Sequence, residues 1–490
     1  MSSSDTVGPG IFKFSDQPVI YIIKGLPGTG KTTYIIKLMN QLAEQGYRIA
    51  YLNLTHDILS EVENKLPKKK VVHWYGIKHM CPRYDIDPII KNLIDHGFPT
   101  RIVCRVCFRI NGIRNCRYKA QFSIKRPIVL APTEYLFTKR LEGFDYVFID
   151  EIPLKVVLFK APARAWEYHK LLKDFPEFFQ ETKAAERMLE KYIVQDIIDH
   201  IALGEADKIA TSEWIRGLKE WINIIKWHRY YVLYKKWQDY GRPYLFYALD
   251  LVGKSKVFLS DALFEYVGYR KFFNDMLKRY KFEEGREISY KIVFEGQPRK
   301  TSPKLYKINP EARYPSKSIS DYSIEYIKKI IAKIKEREAF NNIGIITPKD
   351  HEESFRGLGI TEHFWNLRSK NTMMDCDAIF VVGTPEIAPD DLLYMFKLFY
   401  PDHEPSNNYE KIAGLGYVPK DPRLRIFKEI IEDSELWNAV HRARPYMRET
   451  SIFLLGRIPA MTKIPVYEYK LINDRIVYIR RLRDDKIVLE

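Results

Sequence analysis

The chain has 490 residues, room for about three domains, and no stretch of it approaches the roughly 20 apolar residues of a membrane span. Lys and Arg number 79 against 63 Asp and Glu, a net charge of +16, which suits a polyanionic partner such as nucleic acid. Five cysteines in so long a chain argue against a disulfide scaffold. The opening MSSSDTVGPG lacks the regions of a secretion signal, so a soluble, cytoplasmic protein without membrane contact is expected.

Residues 19–23, VIYII, read as a buried strand. The loop Gly25-Leu-Pro-Gly28-Thr29-Gly30-Lys31-Thr32 follows, and apolar residues at helical spacing resume after Thr33. Strand, glycine-rich loop and helix in that order form a phosphate cradle. Gly25, Gly28, Thr29, Gly30, Lys31, Thr32 and Thr33 are the nucleotide-binding candidates. Lys31 would reach the β- and γ-phosphates of ATP, and the Thr32 hydroxyl would ligate Mg²⁺. Residues 48–55 read as a second strand; at its end Thr55 and His56 are candidates for a nucleic-acid contact, with an ordinary loop as the alternative, and the basic run Lys68-Lys69-Lys70 comes soon after.

Between residues 73 and 126 the α/β rhythm breaks. Cys81, Cys104, Cys107 and Cys116 are separated by twenty-two, two and eight residues. A Cys₄ set with a single close pair is compatible with a [4Fe–4S] cluster. Zn²⁺ is one alternative, although structural zinc sites usually carry two close pairs, and unligated thiols are another. The arginines and lysines around the cysteines make this small domain strongly basic.

The rhythm resumes with a strand at 127–133 and another at 144–149 that ends in Asp150 and Glu151. At this distance after a phosphate loop, Asp150 is the expected Mg²⁺ holder and Glu151 the base for the attacking water. Residues 155–245 turn helical, with Leu189, Ile193, Ile197 and Ile201 at every fourth position. Their end, 227–237, interleaves aromatic residues with cations, a candidate stacking surface. A further strand, 256–259, leads into Ser260 and Asp261, and strands at 343–347, 378–383 and 451–455 mark a second α/β body without a phosphate loop. The run His441-Arg442-Ala-Arg444 supplies candidate arginine fingers, with Arg442 the stronger.

In motif order the chain resembles superfamily 2 helicases of the iron–sulfur group typified by XPD and DinG. GLPGTGKTT resembles motif I, YLNLTH motif Ia, FIDEIP the DEAH box, FLSDAL motif III, residues 363–385 motif V and NAVHRARP motif VI. The resemblance implies an α/β fold of two RecA-like lobes with a cysteine-ligated insertion and a helical, arch-like insertion in the first. The expected domains are 1–72 with 127–154 and 246–270 (first lobe), 73–126 (cluster), 155–245 (arch), 271–464 (second lobe) and 465–490 (a β-rich tail). It also implies ATP-driven movement on single-stranded DNA, 5′ to 3′, with unwinding of forked duplex. Motif V residues Asn366, Arg368, Ser369 and Asn371 would contact phosphates or nucleotide. A monomer working with replication or repair proteins is expected. Three departures stand out: Pro153 in place of the DEAH histidine, Asp261 in the motif III strand, and Arg442 and Arg444 only two positions apart. The competing readings are a translocase that remodels protein–DNA complexes without unwinding, and a zinc-containing nucleic-acid-binding protein with a weak ATPase.

Overall fold

The computed structural model describes residues 17–26, 28–95, 98, 100–113, 116–151, 156–159, 182–203, 240–296, 304–309, 321–364, 372–400, 403–406, 408–412, 416–442, 445, 448–456, 458, 466–472 and 475–481. Runs of fully buried β-branched and aromatic residues, such as IAYLN and YVFID, have no polar face to give to solvent, and such strands settle in the middle of parallel sheets covered on both sides.

The first sheet joins β1 (Val19–Lys24), β2 (Ile49–Asn53), β3 (Val71–His73), β4 (Ile128–Pro132), β5 (Tyr146–Asp150), β8 (Lys256–Asp261) and β9 (Ser289–Glu295). Their order is β3-β4-β2-β5-β8-β1-β9, with every neighbouring pair parallel. The helix after the glycine loop, α1 (Lys31–Glu44), buries Ile35, Leu38, Met39 and Leu42 against one face of this sheet. Gly46, in the left-handed region at φ 87°, lies just past the helix end, as a C-terminal stop requires.

The second sheet joins β10 (Lys304–Asn309), β11 (Ile343–Thr347), β12 (Ile360–His363), β13 (Ala378–Val382), β16 (Ser451–Leu455), β17 (Val466–Ile472) and β18 (Arg475–Arg481). Six strands are parallel, and β18 closes the edge antiparallel to β17. A small ribbon, β14 (Tyr409–Ile412) with β15 (Gly416–Pro419), sits apart. The helix Val267–Glu284 of the first half packs on the second through Phe272, which meets Phe399, Tyr400 and Phe427, while Arg279 donates to the Phe399 carbonyl.

The two sheets run past two of the expected boundaries. The first sheet extends to Glu295, beyond residue 270, because β9 pairs along the free edge of β1. The tail strand β17 adds to β10 inside the second sheet and forms no separate unit. The helical insertion enters and leaves through an antiparallel ribbon, β6 (Val156–Phe159) with β7 (Tyr240–Pro243). Of its helices the described residues include Thr182–Ala202; the candidate stacking surface at 227–237 lies outside them. Ile193, Val194 and Ile197 of that helix share one core with Ile102, Val103 and Val106 of the cysteine insertion. The two insertions are therefore welded by apolar burial, worth about 1.5–3 kcal/mol for each such side chain. Among the described residues no helix is long and apolar enough to cross a membrane.

Candidate active site and nucleic-acid groove

Parallel strands bring their C-terminal ends to one rim, and sheet register fixes which residues meet there. Asp150 pairs with Ser260 across β5 and β8, and Asp261 with Lys24 across β8 and β1. The glycine loop starts one residue beyond Lys24. Gly30 takes the left-handed conformation at φ 90° as the residue before α1, where a side chain would be strained. Thr29 turns back on Leu26, its N–H and Oγ1 donating to that carbonyl at 3.2 and 2.7 Å. Lys31 Nζ donates to the Gly25 and Leu26 carbonyls at 2.6 and 3.2 Å, so the lysine already bridges the mouth of the cradle. Burial lowers its pKa, opposed by the charges of Asp150, Asp261, Glu151 and Glu265. Thr32 is half-buried and Thr33 exposed in the first turn of α1.

Asp150 is buried at the tip of β5. Tyr51 Oη, from the neighbouring strand β2, donates to its Oδ2 at 2.7 Å. Burial and then the Glu151 charge raise its pKa, opposed by hydrogen bonds from Ser260 and Tyr51 and by Lys31. A carboxylate held this way is poised for a cation, whose charge reverses the balance. Glu151 has φ 60°, a conformation costing a non-glycine residue of order 1–3 kcal/mol. Its N–H donates to the Ser260 carbonyl at 2.8 Å, which pins the turn. Asp261 has a structural task, since its Oδ1 caps the turn Ala262–Glu265 by accepting from the Leu263 N–H at 2.9 Å.

The second half reaches this rim through the helix Pro422–Val440. His441 follows it, buried, with Nδ1 2.9 Å from the Trp437 carbonyl. Burial, with the charges of Lys31 and Arg442, pulls its pKa down to about 4 against the opposing hydrogen bond to the Trp437 carbonyl. His441 thus lies within electrostatic range of the phosphate-loop lysine, Lys31. Arg442 is half-buried directly beyond. Arg444, Pro153, Asn366, Arg368, Ser369 and Asn371 lie outside the described residues.

The four cysteines converge. Cys81 follows the short helix Ile77–Met80, Cys104 and Cys107 lie one turn apart on the helix Thr100–Asn111, and Cys116 precedes Arg117–Ala120. All four are half-buried and line one small cavity with Val103, Ile113 and Tyr118. Burial raises the thiol pKa of Cys81 and Cys107 and pushes Cys104 up to about 11, and neighbouring cysteines add to each shift. Such thiols ionise readily only beside a metal cation, so the donor set fits a thiolate-bound metal group. Among the described residues no three His, Cys, Asp or Glu side chains are grouped as a single-ion site.

Beside them a groove of about 890 Å³ separates the insertion from the first sheet. It is lined by Arg101, Arg105, Lys119 and Arg140, by Glu134, and by aromatic residues that include Tyr118 and Phe122, with the Arg140 guanidinium 3.6 Å over the Phe122 ring. Cations beside aromatic rings make the kind of surface that single-stranded nucleic acid prefers.

Tyr51, Glu265 and Gly296 were not expected from sequence. A Cβ on Gly296 would stand 2.2 Å from Thr29 Oγ1, and one on Gly25 would stand 2.6 Å from it, so Gly296 is part of the loop's mould. A tyrosine before a buried Asn in β2 was the available signal for Tyr51; for Gly296 there was none short of the β1–β9 pairing.

No family model matches the chain. It is similar to the DNA replication ATP-dependent helicase/nuclease DNA2 of Saccharomyces cerevisiae, at 27% identity over 139 residues, covering 26% of this chain and 8% of that protein. The chain thus matches under a tenth of that relative's length. Among solved structures it is similar to an XPD helicase at 12% identity and a TM-score of 0.48, covering 90% of this chain and 92% of the other. It is also similar to Mss116p bound to ssRNA and AMP-PNP at 12% identity and a TM-score of 0.32, covering 90% and 66%.

Proposed function

We propose that this chain is an ATP-dependent DNA helicase that moves 5′ to 3′ along one strand and parts forked duplex. The observation that carries this reading is the gathering of Lys31, Asp150 and Glu151 at the rim of the first sheet, with His441, which precedes Arg442, within electrostatic range of Lys31. The local similarity to a protein named as a DNA helicase supports it, as does the basic, aromatic groove beside the cysteines.

In this mechanism Lys31 leaves its loop carbonyls for the β- and γ-phosphates, and Thr32 with Asp150 hold Mg²⁺. The chemistry Mg²⁺ would supply there, when bound, is neutralisation of phosphate charge. Glu151 takes the proton of the attacking water, and the water oxygen displaces ADP from the γ-phosphorus. Arg442 stabilises charge on the transferring group, a role worth a factor of about 10³–10⁵ elsewhere. Closing and reopening of the two halves would carry the strand through the groove.

Cys81, Cys104, Cys107 and Cys116 would hold a [4Fe–4S] cluster, which supplies a rigid cross-link and no turnover chemistry. The shared cavity of the four cysteines supports this reading, because the Cys₄ shell of a cluster encloses a larger object than a single ion.

The test is strand displacement on a forked DNA duplex with a 5′ tail, using anaerobically purified protein and its Lys31→Ala variant. ATP-dependent displacement by the first and none by the second is expected. ATPase stimulation by single strands without displacement would instead identify a translocase that remodels complexes. ATP hydrolysis by Lys31→Ala at the parent rate would overturn the reading.

A further inference from the structure

The helix Pro422–Val440 carries near its centre a set of charges that the chemistry above leaves unused. Glu432, Asp433, Ser434 and Glu435 are each 1% exposed, and acids are almost never so deeply buried unless they are paired. Two partners of Glu432 are defined. Its Oε2 accepts from Lys428 Nζ, one turn earlier on the same helix, at 2.5 Å. Its Oε1 accepts from the Ile387 N–H at 3.2 Å. The Lys428 side chain is itself only 12% exposed, so the pair stands largely out of water.

Ile387 belongs to the loop that leaves β13 and opens the helix Pro389–Phe399. At the other end of that loop the Gly383 N–H donates to the Leu455 carbonyl at 3.0 Å. The loop is thus fastened to the second sheet at its start and to Glu432 at its finish. A carboxylate at the entry of a helix is also favoured by the peptide dipoles.

Both helices reach the first half of the chain. Phe399 and Tyr400 close one of them, Phe427 lies on the other, and all three rings meet Phe272. Arg442 comes ten positions after Glu432, about 15 Å further on at the rise of a helix. Glu432 therefore stands between the contact with the first half and the arginine. A buried ion pair is by itself weak evidence of stabilisation, since well-packed apolar residues of similar volume often do as well or better. What apolar residues cannot supply is an acceptor for the Ile387 N–H. A charge-assisted bond from a backbone N–H to a carboxylate fixes one segment against the other.

We propose that Glu432 is a positioning residue that locks the helices Pro389–Phe399 and Pro422–Val440 into one lever, so that packing at Phe272 sets where Arg442 stands. This rests on the reading of Arg442 as the group that stabilises the transferring phosphoryl, and adds to it what holds that arginine in place. Glu432 acts on hydrolysis through Arg442. It therefore governs turnover rather than the affinity for ATP, which Lys31, Thr32 and Asp150 of the first half supply.

The test compares two double variants by steady-state ATP hydrolysis with saturating oligothymidylate and by thermal melting. Glu432→Leu with Lys428→Leu removes the acceptor without stranding a charge in the core. It should melt within a few degrees of the parent, keep KM for ATP within about twofold and lose at least about tenfold in kcat. Glu432→Gln with Lys428→Met also removes the ion pair but keeps an oxygen for the Ile387 N–H, and its kcat should stay within about threefold of the parent. In an Arg442→Ala background the leucine pair should cost nothing further, because residues that act as a unit are not additive. A leucine pair at the parent kcat, a glutamine variant as slow as the leucine pair, or an undiminished loss in the Arg442→Ala background would each overturn the lever. So would a leucine pair too unstable to assay, which would make the ion pair a stabilising device. A parent protein without ATP hydrolysis, or an Arg442→Ala variant at the parent rate, would instead bring down the reading beneath it.

Discussion

Gly296 offers a sharp test of how the phosphate loop is shaped, because it is far from the loop in sequence and carries no chemistry. Its N–H donates to the Lys24 carbonyl at 2.9 Å, which holds it on the sheet edge and leaves it little room to yield. In Gly296→Ala the new Cβ would lie 2.2 Å from Thr29 Oγ1 and 2.8 Å from Thr29 Cβ, where ordinary contact begins at 3.4 Å. Thr29, tied to the Leu26 carbonyl at 2.7 Å, must therefore retreat by about 1.2 Å and carry the loop with it. Misplacement of a catalytic group by about 1 Å can cost on the order of 10²-fold in rate. Overpacking of this kind costs about 1–3 kcal/mol of stability. The expected result is a drop of about 100-fold in kcat/KM for ATP, with a fall in Tm of only a few degrees. Adding Thr29→Ala should restore part of the rate, since it deletes the closest atom. A Gly296→Ala enzyme within threefold of the parent rate would refute the proposed mould.

The other predictions concern the rim and the cysteines. Tyr51→Phe removes a hydrogen bond that lowers the Asp150 pKa, so the acid limb of the ATPase pH profile should move to higher pH and the Mg²⁺ requirement should rise; an unchanged profile would remove Tyr51 from the site. Glu151→Gly should abolish hydrolysis yet stabilise the fold by about 1 kcal/mol, because glycine relieves the φ of 60°, whereas Glu151→Gln should bind ATP and stall without gaining stability. His441, held near pKa 4 by burial, binds its proton less well folded than unfolded. Stability is therefore lost as pH falls from about 6.5 to 4, by up to about 3 kcal/mol from this residue, and His441→Gln should flatten that part of a plot of Tm against pH. Cys104→Ser should cost the anaerobically purified protein its bound iron and its absorbance near 400 nm; a colourless, zinc-bearing parent would eliminate the cluster while leaving the ATP site intact.

Much of the site was legible because it is local. The glycine loop sits between an apolar strand and an amphipathic helix, and Asp150 with Glu151 ends a run of five buried residues; each signal lies within one short stretch. The central strands of both sheets were equally plain, since a strand covered on two faces is apolar throughout. Edge strands were not. β9 has exposed and half-exposed residues along its whole length, and nothing in its composition ties it to β1. The sequence pattern therefore does not tie β9 to the first sheet. The helical insertion was read from its repeat of apolar residues, but its neck ribbon consists of four-residue strands that become strands only by pairing with each other.

The sequence by itself determined which residues can do the chemistry, because a phosphate cradle, a terminal acid pair and a set of thiols are each chemically specific. Tertiary structure alone decided how they are held. Register across β5, β8 and β1 aligned Asp150, Ser260, Asp261 and Lys24 at one rim, and Tyr51 on β2, level with Phe148, reaches Asp150 through its hydroxyl. Long-range packing then set Gly296 against Thr29 and carried His441 to Lys31. These contacts join residues that are as much as four hundred positions apart, and no local pattern encodes such a pairing. It emerges when buried surfaces and backbone hydrogen bonds are satisfied all at once.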